Sequence, residues 1–489
     1  MRCLKFGLIL LVLVVPAVLY AGVYTSSIHG SSTSGVARDS IYNNYNVSRG
    51  NCLHCHEMHA SVGGSEPAPT GGAPSSYGLF EFEEKVCFYC HGTNSHNVPP
   101  LSKDIEALFQ KPYRHPVERS GLHKKPAFKE TEADLRPPYR HSECVDCHNP
   151  HAVQRETHTM GSPPGNYTST LENNRVSGVL RGTFGVEPNW QAQDWTVPTT
   201  FTELRPDKNN PAGGAEREYQ LCLKCHSYYG LGSAENTGTG VTNITGPSGV
   251  SLTDQALEFS PYNYSGHPVT VAADNRPGGY APKALINSSY GSRLKPPWDT
   301  HVGQQTMYCS DCHGEDAATE IKGPHGSDAK FMLVDGRTWP KKPKTSGSCD
   351  GKYWTLGDIK SGNCNWQQNL LCAKCHMLYN GNKFFNKVHN DSHHNRHTYT
   401  FNGIQYWGVP CVTCHMAVPH GSHASRLIVY RNDPSPYNAE GTMAVLSGFC
   451  KAPDPDRYEA EYCYSTVKAC SEHDNYNPNN VCPNGSYDP

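Results

Sequence analysis

The sequence predicts a mostly coil architecture with short helical turns, a few small strands and a core that its own side chains cannot fill. Three observations lead there. Only 36% of the 489 residues are apolar, and 45 Gly and 37 Pro break up the chain, which leaves a thin protein-only core for this length. The 21 Cys and 26 His are far above ordinary usage. Most of the cysteines fall in one repeated pattern, and each copy of it asks for a single helical turn.

The N-terminus comes first. Arg2 and Lys5 precede the apolar run from Phe6 to Val15, and the small residues Ala17 and Ala21 follow. This is the layout of a secretory signal peptide over residues 1–21. About ten apolar residues ended by Pro16 are too few to span a bilayer. The mature chain is therefore expected to have no integral membrane segment and to be secreted, to the cell surface or beyond it, otherwise to the periplasm. Losing Arg2 and Lys5 moves the formal net charge from -3 to -5, which argues against nucleic acid as a partner.

The pattern itself is Cys-x-x-Cys-His, and it occurs seven times: Cys52/Cys55/His56, Cys87/Cys90/His91, Cys144/Cys147/His148, Cys222/Cys225/His226, Cys309/Cys312/His313, Cys372/Cys375/His376 and Cys411/Cys414/His415. Shuffling this composition would give about 0.05 copies. The spacing has a physical reason. In one helical turn, two sulfurs three residues apart reach the two vinyl groups of a porphyrin while the adjacent imidazole turns to the iron. The cofactor implied is seven haem c, each held by two thioethers and one proximal His. Structural zinc also uses Cys-x-x-Cys pairs, but zinc does not require a His after every second Cys. A thioredoxin-like pair would need a βαβ surrounding that is absent from this pattern.

The sixth iron ligand decides between conduction and chemistry. His115 and His267 share the context His-Pro-Val, and His325 and His420 share Pro-His-Gly-Ser. A repeated context suggests a repeated task. His59 and His151 each lie three residues beyond a proximal ligand, on the same side as that ligand, so each is expected to serve a different haem. His397 is favoured in the crowded stretch after the sixth motif. His29, His301, His389 and His394 are reserves. Met58, Met377 and Met416 sit too close to the attachment turns to reach the far face. The expected ligation is bis-histidine throughout, with the second haem the hardest to assign.

Apart from Cys3 in the signal segment, six further cysteines remain, Cys349, Cys364, Cys450, Cys463, Cys470 and Cys482, an even number that suggests three disulfides in an exported chain. A Cys349–Cys364 bridge would close a loop of about 15 residues and contribute roughly 3 kcal/mol. The organisation follows the motifs: residues 22–160 carry haems one to three, 161–345 haems four and five with long loops, 346–430 haems six and seven, and 431–489 a disulfide-stapled tail. Gly161 to Asn174 and Gly230 to Ser251 read as irregular loops. Two-stranded pieces are expected near Ala424 to Tyr430, with the haem chain as a continuous core.

The paired motif Cys144 to His151, the stretch from Cys309 through Pro324-His325-Gly326-Ser327, and Cys372 to Arg426 resemble the exported multihaem cytochromes of metal-respiring bacteria, over about half the chain in patches. Cys55-His-Glu-Met-His59-Ala-Ser-Val-Gly-Gly resembles the start of the surface cytochromes that polymerise into haem-lined filaments. That resemblance implies electron transfer to other cytochromes or extracellular acceptors, and a homopolymer in which His59 ligates a haem of the neighbouring subunit. Seven haems and the cysteine-rich tail depart from that group. The alternative reading is a multihaem reductase of a small nitrogen or sulfur oxyanion with one open iron. No Cys-x-x-Cys-Lys marks such a haem here, and the expectation is an electron carrier rather than an enzyme. A third class, a surface protein merely braced by haems, would keep them far apart.

Overall fold

Six of the seven attachment motifs share one closing bond in a tight turn. The backbone N–H of the motif histidine donates to the carbonyl of the first cysteine four residues back: His56 to Cys52, His148 to Cys144, His226 to Cys222, His313 to Cys309, His376 to Cys372 and His415 to Cys411, all at 2.9–3.0 Å. The second motif instead ends a longer helix, Glu83–His91. An Asp at the third motif position anchors two of the turns: the Asp146 carboxylate accepts the N–H of Glu143 at 2.7 Å, and that of Asp311 accepts the N–H of Tyr308 at 2.9 Å.

The structure is a computed structural model that describes residues 24–39, 46–56, 78–117, 142–156, 158, 174–206, 213–232, 239–272, 294–300, 302, 305–317, 323–381, 398–441 and 443–444. The signal segment therefore lies outside the described residues, as do His59, His301, His389, His394, His397, Cys450, Cys463, Cys470 and Cys482. No helix among the described residues is long and apolar enough to cross a membrane.

Between the turns the chain is mostly coil, with five two-stranded antiparallel ladders. Three are local hairpins: Gly185–Pro188 with Phe201–Leu204, Val241–Thr245 with Ser251–Thr253, and Thr398–Phe401 with Ile404–Trp407. The first strand of the second falls inside the stretch 230–251 that reads as irregular loop. Thr242 and Ile244 alternate inward along it, a period that is hidden in sequence by the surrounding Gly and Thr. The other two ladders are long-range: Tyr113–Arg114 with Gly326–Ser327, and Ser265–Gly266 with Gly421–Ser422. The strand expected near Ala424 to Tyr430 thus lies slightly earlier, because that segment turns through left-handed backbone at Arg426 and Leu427 and only Ile428 makes a bridge, to His415.

Apolar side chains gather in separate clusters rather than one core. The largest surrounds Trp354, Trp339, Trp366 and Leu370 and includes the Cys349–Cys364 disulfide expected from the sequence. A second holds Phe184, Val186, Tyr219, Phe259 and Trp298. A third joins Met416 and Val429 to Tyr437 and Ala444, so the beginning of the 431–489 segment packs into the body. Between the clusters runs a cavity of about 2140 Å³ lined by cysteines and histidines of motifs two to seven, well above the roughly 300–1,000 Å³ of an ordinary ligand pocket.

Candidate functional site

Imidazoles come together in pairs, five of which line the cavity. Six proximal histidines each have a second ring at close to one separation between ring centres: His56 with His151 at 5.8 Å, His91 with His29 at 6.2 Å, His148 with His325 at 6.1 Å, His226 with His115 at 6.2 Å, His313 with His420 at 5.9 Å and His376 with His267 at 6.4 Å. Axial nitrogens on opposite faces of a porphyrin lie about 4 Å apart. Each ring centre lies about 1 Å behind its nitrogen, so one iron between two imidazoles sets the centres roughly 6 Å apart. The residues present fit the group that the motifs imply.

The pairing follows a rule. Within each of three successive units, an upstream His donates its Nδ1 proton to the carbonyl of a Pro that directly precedes a second His. His29 donates to Pro150 at 3.1 Å, His115 to Pro324 at 2.6 Å and His267 to Pro419 at 2.7 Å. A carbonyl can only accept, so Nδ1 carries the proton and Nε2 keeps the lone pair a metal needs. The second histidines, His151, His325 and His420, face the proximal His two motifs earlier. His29, ranked only as a reserve by sequence, is the partner of the second motif. His151 faces His56 and not its own motif's His148, as its spacing predicts.

Proximal rings are fixed in the same way. The Nδ1 of His148 donates to Val179 at 2.8 Å, that of His313 to Phe331 at 2.8 Å and that of His415 to Arg426 at 3.2 Å. Phe331 and Met332 adopt left-handed backbone, as do Arg426 and Leu427. Non-glycine residues hold such a conformation only where the surroundings impose it, and here it aims a carbonyl at an imidazole. The distal candidate His397, to which the sequence assigns no particular motif, lies outside the described residues.

Burial keeps the rings neutral. It pushes His91, His313 and His376 down to about 4 and His226 and His325 to about 3, with neighbouring imidazoles adding to the effect. A neutral imidazole is the ligating form. The motif cysteines also form a continuous series. Cys55 lies within electrostatic reach of Cys90, Cys147 of Cys222, Cys312 of Cys375, and Cys411 of Cys372, while Cys87 with Cys144 and Cys309 with Cys222 are in side-chain contact.

Two buried features escape sequence reading. His158 is stacked on Tyr308 at 3.7 Å and bonded to Asp311 at 2.9 Å; it has no repeated context to mark it. Glu258, with no exposed surface, accepts the Nδ1 proton of His420 at 2.5 Å. No family model, curated protein or solved structure matches this chain.

Proposed function

We propose that this protein is a secreted seven-haem c-type cytochrome that passes electrons along a chain of bis-histidine haems. The observation that carries this reading is the set of six imidazole pairs at 5.8–6.4 Å, each pair containing the histidine of a Cys-x-x-Cys-His motif. Haem, when bound, supplies a one-electron iron couple. The fourteen motif cysteines would hold it covalently. The proximal histidines of the first six motifs and His151, His29, His325, His115, His420 and His267 would close both axial positions at those six sites. Neighbouring cysteines of consecutive motifs favour a relay over haems that only brace the fold.

The same rule bears on assembly. His151, His325 and His420 each follow an odd-numbered motif and face the odd-numbered motif before it. His59 follows the first motif at the spacing at which His151 follows the third. Extended one step, the rule assigns His59 to the seventh motif of another copy of this chain, giving a filament for electron export; His397 of the same copy is the competing ligand. Replacement of His59 by Ala is expected to abolish filaments seen by electron microscopy and leave six haems untouched.

Electron paramagnetic resonance of the oxidised, purified protein tests the main reading. Seven low-spin irons per chain are expected. One stoichiometric high-spin iron that binds small ligands would overturn it in favour of a reductase of a small nitrogen or sulfur oxyanion.

A further inference from the structure

Two units of the chain share a set of matching contacts. Asp104 accepts the N–H of Ala107 at 2.9 Å, and Asp254 that of Leu257 at 3.0 Å. The next residues, Ile105 and Gln255, donate to the carbonyls of His91 and His226 at 2.8 and 2.9 Å. Phe109 and Phe259 then lie against His325 and His420, at 5.7 and 4.8 Å between rings. A Cβ on Gly326 would meet the carbonyl oxygen of Leu108, and one on Gly421 that of Glu258. Leu108 and Glu258 therefore occupy one structural position.

They differ in what they offer the neighbouring imidazole. Glu258 takes the Nδ1 proton of His420. In the other unit the buried Nδ1 of His325 has no hydrogen-bond acceptor among the described residues. The axial candidates His29, His115, His148, His267, His313 and His415 give theirs to neutral backbone carbonyls. Of the Nδ1 acceptors named here, only that of His420 is a carboxylate.

We propose that Glu258 is a positioning residue that tunes the fifth haem: by drawing the Nδ1 proton of His420, its carboxylate makes that ligand a stronger donor and the fifth haem harder to reduce than the third. A more basic imidazole favours the ferric over the ferrous iron. A carboxylate with no exposed surface adds to this, since its charge is less screened there. The chain then contains an uphill step between its two matched units. This inference rests on the haem reading above.

An optically monitored redox titration of the haem-loaded protein, with its Glu258→Gln and Glu258→Asp variants, tests the assignment. The Gln variant keeps the shape and removes the charge. It is expected to move one of the seven one-electron components to higher potential, by at least a tenfold change in its oxidised-to-reduced ratio, about 59 mV, with all irons still low-spin. The Asp variant is expected to stay closer to the native titration. Seven low-spin irons and an unmoved titration in the Gln variant overturn the role of Glu258 and leave the electron carrier standing. Fewer haems, or a high-spin iron, in the native protein overturn the carrier reading itself. Should the Gln variant fail to load the fifth haem, the native resonance spectrum decides: one low-spin signal set apart from the others supports the proposal, and a uniform set overturns it.

Discussion

Residues 104–117 with 323–334, and residues 254–269 with 418–429, build one arrangement from different side chains. Every backbone bond that orients an imidazole is kept: His115 to Pro324 and His267 to Pro419, His313 to Phe331 and His415 to Arg426. The side chains around them are free to differ, Leu108 against Glu258 and Phe331 against Arg426. Backbone carbonyls hold the geometry, which leaves side chains available to set the electronic properties of each site.

The largest effect should come from removing the matched histidines themselves. His325→Ala and His420→Ala are each expected to convert one of seven low-spin irons to a high-spin, carbon monoxide-binding one, counted by paramagnetic resonance and difference spectra. A variant that stays fully low-spin would show that the two units do not use the same ligand.

Next in size is the close approach of the long-range ladders. Gly326→Ala and Gly421→Ala force a methyl group onto the backbone carbonyls of Leu108 and Glu258, where no rotamer can move away. Each is expected to destabilise the protein by about 1–3 kcal/mol or more, read as a fall in thermal midpoint. An effect in one and none in the other would break the equivalence.

The last is a pH effect confined to the second unit. Burial, then the charge of Glu258, pushes Asp254 up to about 7. The unfolded chain releases this proton near pH 4 and the folded chain near 7, so between these values the folded state binds more protons. The group's contribution to stability is therefore full below about pH 4 and declines as pH rises to about 7. Asp254→Asn, which keeps an oxygen for the Leu257 N–H, is expected to flatten that decline in denaturant titrations run across the range. An unchanged slope would place the carboxyl in an ordinary environment.

Much of this site was legible in the sequence because the chemistry dictates the residues. Covalent attachment needs two Cys and a His at fixed spacing, and the His-Pro-Val and Pro-His-Gly-Ser contexts recur because the same two ladders recur. What was not legible is what backbone contacts decide. His29 shares no local context with His115 or His267; its place is set by its bond to Pro150 and by the Ile28 N–H donating to Val153. The hairpin at Val241–Thr245 was masked by residues typical of loops. Glu258 looks in sequence like an ordinary helix acid, and only its burial against His420 marks it out.

The pairing of imidazoles across units has a consequence for how the chain reaches this state. His115 and His226, His148 and His325, and His313 and His420 are each separated by about 100 residues or more, so each pairing closes a long loop whose entropic cost must be met before the contact forms. Local turns carrying the motifs can form at once, but their partner imidazoles arrive only after later segments have emerged. Maturation is therefore expected to be ordered along the chain, with each odd-numbered site before the last completed only when the odd-numbered site after it is in place.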